Sequence, residues 1–196
     1  MAFTIRGELF IKQNDKDKNR TVRITDHAYR DQDPAWLNDS TLMFISDRRG
    51  NQDIYLIRSA EPTQTDLFKT FKREIKIVLE TEEDESAFYL APDRQQLAFR
   101  QGRGKLLRAD IDSVGQLSGT ITMLDGWATP GGVTWSPDSR WLAYALEDLD
   151  FNEEIYIHPA DNRHEGINVS LHPRSDYAPV WSPDGRKLGW QSIRNN

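Results

Sequence analysis

The chain has 196 residues, 37% of them hydrophobic and 29% charged, enough to bury one sizeable core as one domain or two small ones at most. With 31 acidic against 25 basic residues the net charge is −6, which argues against nucleic acid or an anionic membrane as the main partner. The absence of cysteine excludes disulfides, thiolate catalysis and zinc fingers, and there is neither an apolar run long enough to cross a membrane nor an export signal at the start.

Read in order, the chain alternates short apolar runs with turn signals, the pattern of strands. Leu9-Phe10-Ile11 and Val22-Arg23-Ile24-Thr25 come first. Residues 34–44 then read as a hairpin about Asn38-Asp39-Ser40, followed by Ile54-Tyr55-Leu56-Ile57 and Ile77-Val78-Leu79. A second hairpin turns at Ala91-Pro92-Asp93-Arg94 and is followed by Leu106-Leu107 and Ile121-Thr122-Met123-Leu124. A third turns at Ser136-Pro137-Asp138-Ser139, with Ile155-Tyr156-Ile157 and Ile167-Asn168-Val169-Ser170-Leu171 after it. The fourth, about Ser182-Pro183-Asp184-Gly185, ends the series.

These hairpins are copies of one unit. Asp39, Asp93, Asp138 and Asp184 lie 54, 45 and 46 residues apart, close to the period of a four-stranded propeller blade. In Ser-Pro-Asp-Gly the proline pre-sets φ, the aspartate bonds the local backbone and the glycine takes the left-handed conformation. Ser139 and Arg94 stand where two copies lack that glycine. The strand count gives an all-β fold, a β-propeller of four-stranded antiparallel blades with three full and two partial blades. The expected limits are 1–26 (partial), 27–81, 82–126 and 127–172 (full) and 173–196 (partial), within one propeller-type domain over 1–196. The longest interval is filled by residues 61–73, read as a surface insertion: a short helix capped by Thr65, or an extended loop.

Signals for chemistry are few. There is no Gly-x-Ser-x-Gly elbow, and His27, His158, His164 and His172 fall in inter-strand segments without the spacing of a zinc helix, so solvated or loop-bonding roles are expected. The acidic runs at 80–85 and 147–150 lack the spacing of a calcium loop and read as a solvated rim. No catalytic residue, metal or cofactor is expected. Trp36, Trp135 and Trp181 recur at one repeat position, which suits packing between blades. Trp127 and Trp141 fall outside it. On a shared rim they would be candidate contacts for a peptide or protein, since binding hot spots are rich in aromatic residues.

The run Pro179-Val180-Trp181-Ser182-Pro183-Asp184-Gly185-Arg186-Lys187-Leu188, with its Asp/Glu-Ile-Tyr strands, resembles the WD-like repeats of the TolB family and of tricorn-type protease propellers over nearly the whole chain. Phe3 to Phe10, the join from Ile24 to Trp36, and Gly126-Trp127 through Tyr156 look most like tricorn-like proteases. That resemblance implies a non-catalytic propeller that binds or gates polypeptide for a separate serine peptidase domain, in a ring of six or seven blades. A TolB-like envelope adaptor that docks a partner protein is the alternative, and a metal-dependent propeller enzyme a third. A fragment of a family-like parent would be periplasmic, a native start at Met1 cytoplasmic. The expected partner is a polypeptide or protein, with neither nucleic-acid binding nor membrane insertion, and open propeller edges offer a route to self-association.

Overall fold

The computed structural model describes residues 1–15 and 19–193. Among them every regular element is a strand. Residues 16–18 of the first expected partial blade and 194–196 of the last lie outside the described residues. The chain divides into two compact units, residues 1–87 with 112–117 and residues 88–111 with 118–196.

In the first unit β1 (Ala2–Ile5), β2 (Glu8–Lys12) and β3 (Thr21–Arg23) form a three-stranded sheet in chain order. A four-stranded sheet follows, β4 (Asp31–Asn38), β5 (Thr41–Ser46), β6 (Asp53–Ser59) and β7 (Arg73–Leu79), also in chain order. Ile5 pairs with Glu8 across a two-residue turn in which Arg6 and Gly7 have φ of 52° and 83°. That left-handed pair matches the twist of the flanking strands, as a tight hairpin requires. Leu9 and Ile11 of β2 pack with Leu42 and Phe44 of β5 and Tyr55 and Ile57 of β6 to make the core of this unit.

At 61–73 the chain takes the extended-loop form of the expected insertion and not the helical one, but it is anchored in the core. It forms no helix, and Leu67 is buried in that same core. Asp66, not Thr65, caps the local turn, its Oδ1 accepting the Phe68 amide at 2.9 Å. The Glu61 carboxylate accepts the amides of Phe71 (2.7 Å) and Lys72 (2.8 Å) and the Thr70 hydroxyl (2.9 Å), tying the far end of the stretch back to its start. The Thr70 amide makes one helical-type bond to the Asp66 carbonyl (3.0 Å), and it is not continued because Glu61 claims the next two amides.

The second unit holds most of the sheet of β8 (Glu85–Leu90), β9 (Gln96–Gln101), β10 (Lys105–Ile111) and β11 (Leu117–Asp125), with the order β11-β10-β9-β8; residues 85–87 and 117 of it count with the first unit. It also holds the sheet of β12 (Gly131–Trp135), β13 (Trp141–Glu147), β14 (Glu153–Pro159) and β15 (Ile167–Asn168), and the two-stranded sheet of β16 (Asp176–Trp181) and β17 (Leu188–Ser192). Ala98, Leu106 and Met123 pack with Trp135, Leu142 and Tyr144 in its core. The Tyr144 and Tyr156 rings stack at 5.8 Å, nearly parallel at 6°. Three sheets are thus complete four-stranded blades, one has three strands and one has two, the composition expected of a partial β-propeller.

The repeated turns behave alike. Arg94, Ser139 and Gly185 have φ of 61°, 59° and 68°, and their amides donate to Ala91, Ser136 and Ser182 carbonyls at 2.9, 2.9 and 2.8 Å. Losing the glycine has not changed the turn; it has moved two side chains into a strained backbone region. A second recurrent device lies three residues before each recurrent tryptophan. Asp33, Gly132 and Ala178 have φ of 51°, 57° and 52°, and the register of β4, β12 and β16 slips at those points. These are β-bulges, which bend a strand and increase its twist. Strand β8, with Leu90 in place of the tryptophan, has no residue of positive φ.

Candidate functional site

An apolar cavity of the second unit is lined by the first residue of β13 and the last residue of β16. Trp141 and Trp181 line it with Ile157, Ile167 and Val169, and the volume is about 360 Å³. Ser136, Asp138 and Gly185, all from the repeated turns, complete its lining. Of the left-handed residues that close those turns, Gly185 is in the lining.

Its polar groups are sparse and specific. The Trp181 indole Nε1–H is buried and has no hydrogen-bond partner among the described residues. Trp135, at the same repeat position, donates its indole N–H to the Tyr89 carbonyl at 2.8 Å. A buried donor without a partner is costly. Trp141 lies beside His164, ring centroids 6.2 Å apart, with the Arg163 guanidinium 5.8 Å from its ring. Asp138 is held below the usual carboxylate range by the Ser136 hydroxyl, which donates to it at 2.6 Å. Strand β15 has two residues, so Ile167 stays 56% exposed at the cavity edge.

Trp127 belongs to a different cluster. It is 47% exposed and meets Phe151, 74% exposed, edge to face at 6.3 Å. Phe151 sits in the turn after β13, held with φ of 60° while the Asp148 carboxylate accepts the Asp150 and Asn152 amides. Trp141 begins β13 and Phe151 follows its far end, so a seven-residue strand of roughly 20 Å separates the two clusters. The structure does not bring Trp127 and Trp141 together. Of the recurrent tryptophans, Trp135 is buried between sheets of its unit, Trp36 packs against the first unit's core, and Trp181 lines the cavity.

One histidine departs from expectation. His158 lies within β14 and is buried; its neighbours are Tyr144, whose Oη is 3.2 Å from Nδ1, and Asn162, whose Oδ1 is 2.8 Å from Nε2. The loop-bonding role fails here because a strand that ends in His158-Pro159 carries no apolar signal at its last residues. His27 bonds near Asp31 and Arg48, and His164 lies against the Glu165 carbonyl. Among the described residues, none of the histidines is hydrogen-bonded to a serine hydroxyl, and no group of three or more His, Asp or Glu is arranged to hold a metal ion.

Sequence reasoning missed the acidic residues that open strands. Asp31, Asp53, Glu85 and Asp176 begin β4, β6, β8 and β16 and are fully buried. The Asp-Ile-Tyr pattern was the available signal for Asp53; Asp31, Glu85 and Asp176 stand outside it. Burial pushes the Asp53 carboxyl up, and burial together with Asp53 pushes the neighbouring Tyr55 phenol up to about 12.

Neither protein-family models nor curated proteins match the sequence. Solved structures do. The tricorn protease aligns at TM-score 0.71 and 17% identity over 97% of this chain and 18% of its own. TolB from Acinetobacter baumannii aligns at 0.67 and 15% over 96% of this chain and 46% of its own. A structure assigned as TolB from Agrobacterium tumefaciens aligns at 0.65 and 18% over 98% and 65%. The chain spans less than two thirds of each, and such identities establish the fold: a TolB- and tricorn-like β-propeller. A puromycin-hydrolyzing peptidase from Mycobacterium tuberculosis and an oligogalacturonate lyase from Vibrio parahaemolyticus share it, so the frame alone selects no activity.

Proposed function

We propose that this chain is a non-catalytic propeller scaffold that binds polypeptide, with the Trp141–Trp181 cavity as its contact. The observation that carries the reading is the pairing of an apolar cavity of about 360 Å³ with one buried, unpartnered indole donor. That is the chemistry of a pocket for an apolar side chain, and a small shift of the Trp181 ring on binding would let the adjacent backbone carbonyl satisfy its indole N–H. The residues lie on strands and tight turns, so little ordering is needed on binding. Similarity to the propellers of tricorn and TolB favours polypeptide gating or docking in the cell envelope over bond cleavage by this chain.

Selection of peptides from a displayed random library against the purified chain tests this. Selected peptides are expected to carry a large apolar residue and to bind the Trp141→Ala variant at least tenfold more weakly, about 1.4 kcal/mol. Selected peptides that bind Trp141→Ala and Trp181→Ala as tightly as the parent would overturn the assignment of the cavity.

A further inference from the structure

The stretch between β6 and β7 makes one wall of another cavity, in the first unit. This cavity has a volume of about 440 Å³ and is lined by Arg20, Arg23, Phe68, Lys69, Phe71 and Arg73, with smaller contributions from Val22 and Thr70. Four cations around one space are unexpected in a chain of net charge −6. Two of them are already paired: Arg23 with Glu8 (2.9 Å) and Asp26 (2.7 Å), and Lys69 with Asp66 (3.1 Å).

Arg20 and Arg73 have no carboxylate partner among the described residues. The Arg20 guanidinium lies 6.0 Å from the Phe68 ring centroid. Arg73 donates through Nη2 to the carbonyls of Leu67 (3.4 Å) and Thr70 (3.2 Å), while its Nε is buried without a partner. Glu61 is the acid that acts on Arg73, and its carboxylate is spent on the Phe71 and Lys72 amides and the Thr70 hydroxyl. Burial accordingly pulls the Arg73 guanidinium down from its ordinary range. With Nη2 spent on two carbonyls and Nε buried, Nη1 is the nitrogen of Arg73 left to an incoming oxyanion, as a charge-assisted donor. Beside it Phe71 is 94% exposed, a large apolar ring at the edge of a charged cavity.

We propose that this cavity binds a phosphate monoester carried on a flat, apolar group, with the phosphate on Arg73 and Arg20 and the substituent against Phe71. Two unpaired cations match the charge of about −1.5 to −2 on such a group at neutral pH. The ring would pack on Phe71 as aromatic groups do, offset or edge-on. A free nucleotide-like molecule and a phosphorylated tyrosine share this chemistry. The site lies in the first unit and does not depend on the polypeptide reading.

The test follows the Arg20 and Arg73 Nε–H resonances of the whole ¹⁵N-labelled chain during titration with phenyl phosphate, inorganic phosphate and phenol. Phenyl phosphate is expected to shift both resonances saturably at millimolar concentration or below, inorganic phosphate to bind at least tenfold more weakly, and phenol to leave them unmoved. Arg20→Gln, at an exposed position, should weaken phenyl phosphate at least tenfold while the backbone amide spectrum elsewhere stays unchanged; Arg73→Lys, which keeps charge but loses Nη1, should do the same. Titration with adenosine 5′-monophosphate and with a phosphotyrosine peptide then separates the two sources by which saturates first. Absence of a saturable shift with phenyl phosphate, or equal affinity in Arg20→Gln, would overturn the proposal even if Arg73→Lys fails to fold.

Discussion

Tyr144 donates its phenolic hydrogen to Nδ1 of His158 across 3.2 Å in the core of the second unit. The direction follows from the next link. Asn162 gives its amide hydrogen to the Thr122 carbonyl (3.2 Å), so its Oδ1 faces His158 Nε2 (2.8 Å) and accepts that proton, leaving Nδ1 as the acceptor. Gly166 makes room: a Cβ there would lie 2.5 Å from the Tyr144 hydroxyl and 3.2 Å from His158 Nδ1.

This chain requires a neutral imidazole, and burial holds His158 below its ordinary value of 6.5. The unfolded chain takes up a proton near 6.5 and the folded one resists it, so the unfolded state binds more protons and stability falls as pH drops through and below that value. Urea denaturation between pH 7.5 and pH 5 is expected to show this loss, and His158→Phe to flatten it. A wild-type profile that stays level over that range would contradict the assignment.

Asp53 has the opposite sign. Its folded pKa is raised above the ordinary 3.8 by burial, so in the window just above 3.8 the folded state holds the extra proton and acidification favours folding. Asp53→Asn removes the buried charge and keeps an acceptor for the Tyr55 hydroxyl, which lies 3.3 Å from Asp53 Oδ2. The variant should be as stable as the parent or more so at pH 7, with the gap narrowing toward pH 4; a lower melting temperature at pH 7 would contradict this.

The two recurrent tryptophans of the second unit should differ in cost. Trp135→Phe removes the indole bond to the Tyr89 carbonyl and should cost about 1 kcal/mol, whereas Trp181→Phe removes a donor that has no partner among the described residues and should cost less. Equal losses in urea unfolding would show that the indole bond to Tyr89 contributes nothing.

The turns give a third contrast. Arg94→Gly relieves a left-handed arginine and should stabilise by up to about 1 kcal/mol, offset in part by the looser unfolded chain. Ser139→Gly relieves the same strain but removes the hydroxyl facing the Asp93 amide at 3.1 Å, so its gain should be smaller. Gly132→Ala should destabilise, because φ is +57° and a new Cβ would lie 3.1 Å from Pro179 Cδ. Thermal denaturation of these three variants checks the order.

The hairpins were legible because proline, aspartate and glycine each restrict φ in a known way, and their spacing survived substitution at Ser139 and Arg94. The bulges were not, because Asp33, Gly132 and Ala178 share a conformation without sharing a residue type. The cavity was half legible: Trp141 stood out by falling off the repeat position, while Trp181 looked identical to Trp135. What separates those two is whether a neighbouring strand offers a carbonyl, which is a property of packing and not of local sequence. Trp127 and Trp141 likewise stand only fourteen residues apart in sequence, yet a strand axis divides them.

The most direct test of the polypeptide-binding account follows the indole N–H resonances of the whole chain during titration with a library-selected peptide, with Trp181 assigned by its loss in Trp181→Phe. The account predicts a saturable shift at Trp181, where the donor is free, and little movement at Trp135, where it is bonded to Tyr89. Saturation of peptide binding with the Trp181 resonance unmoved would contradict it.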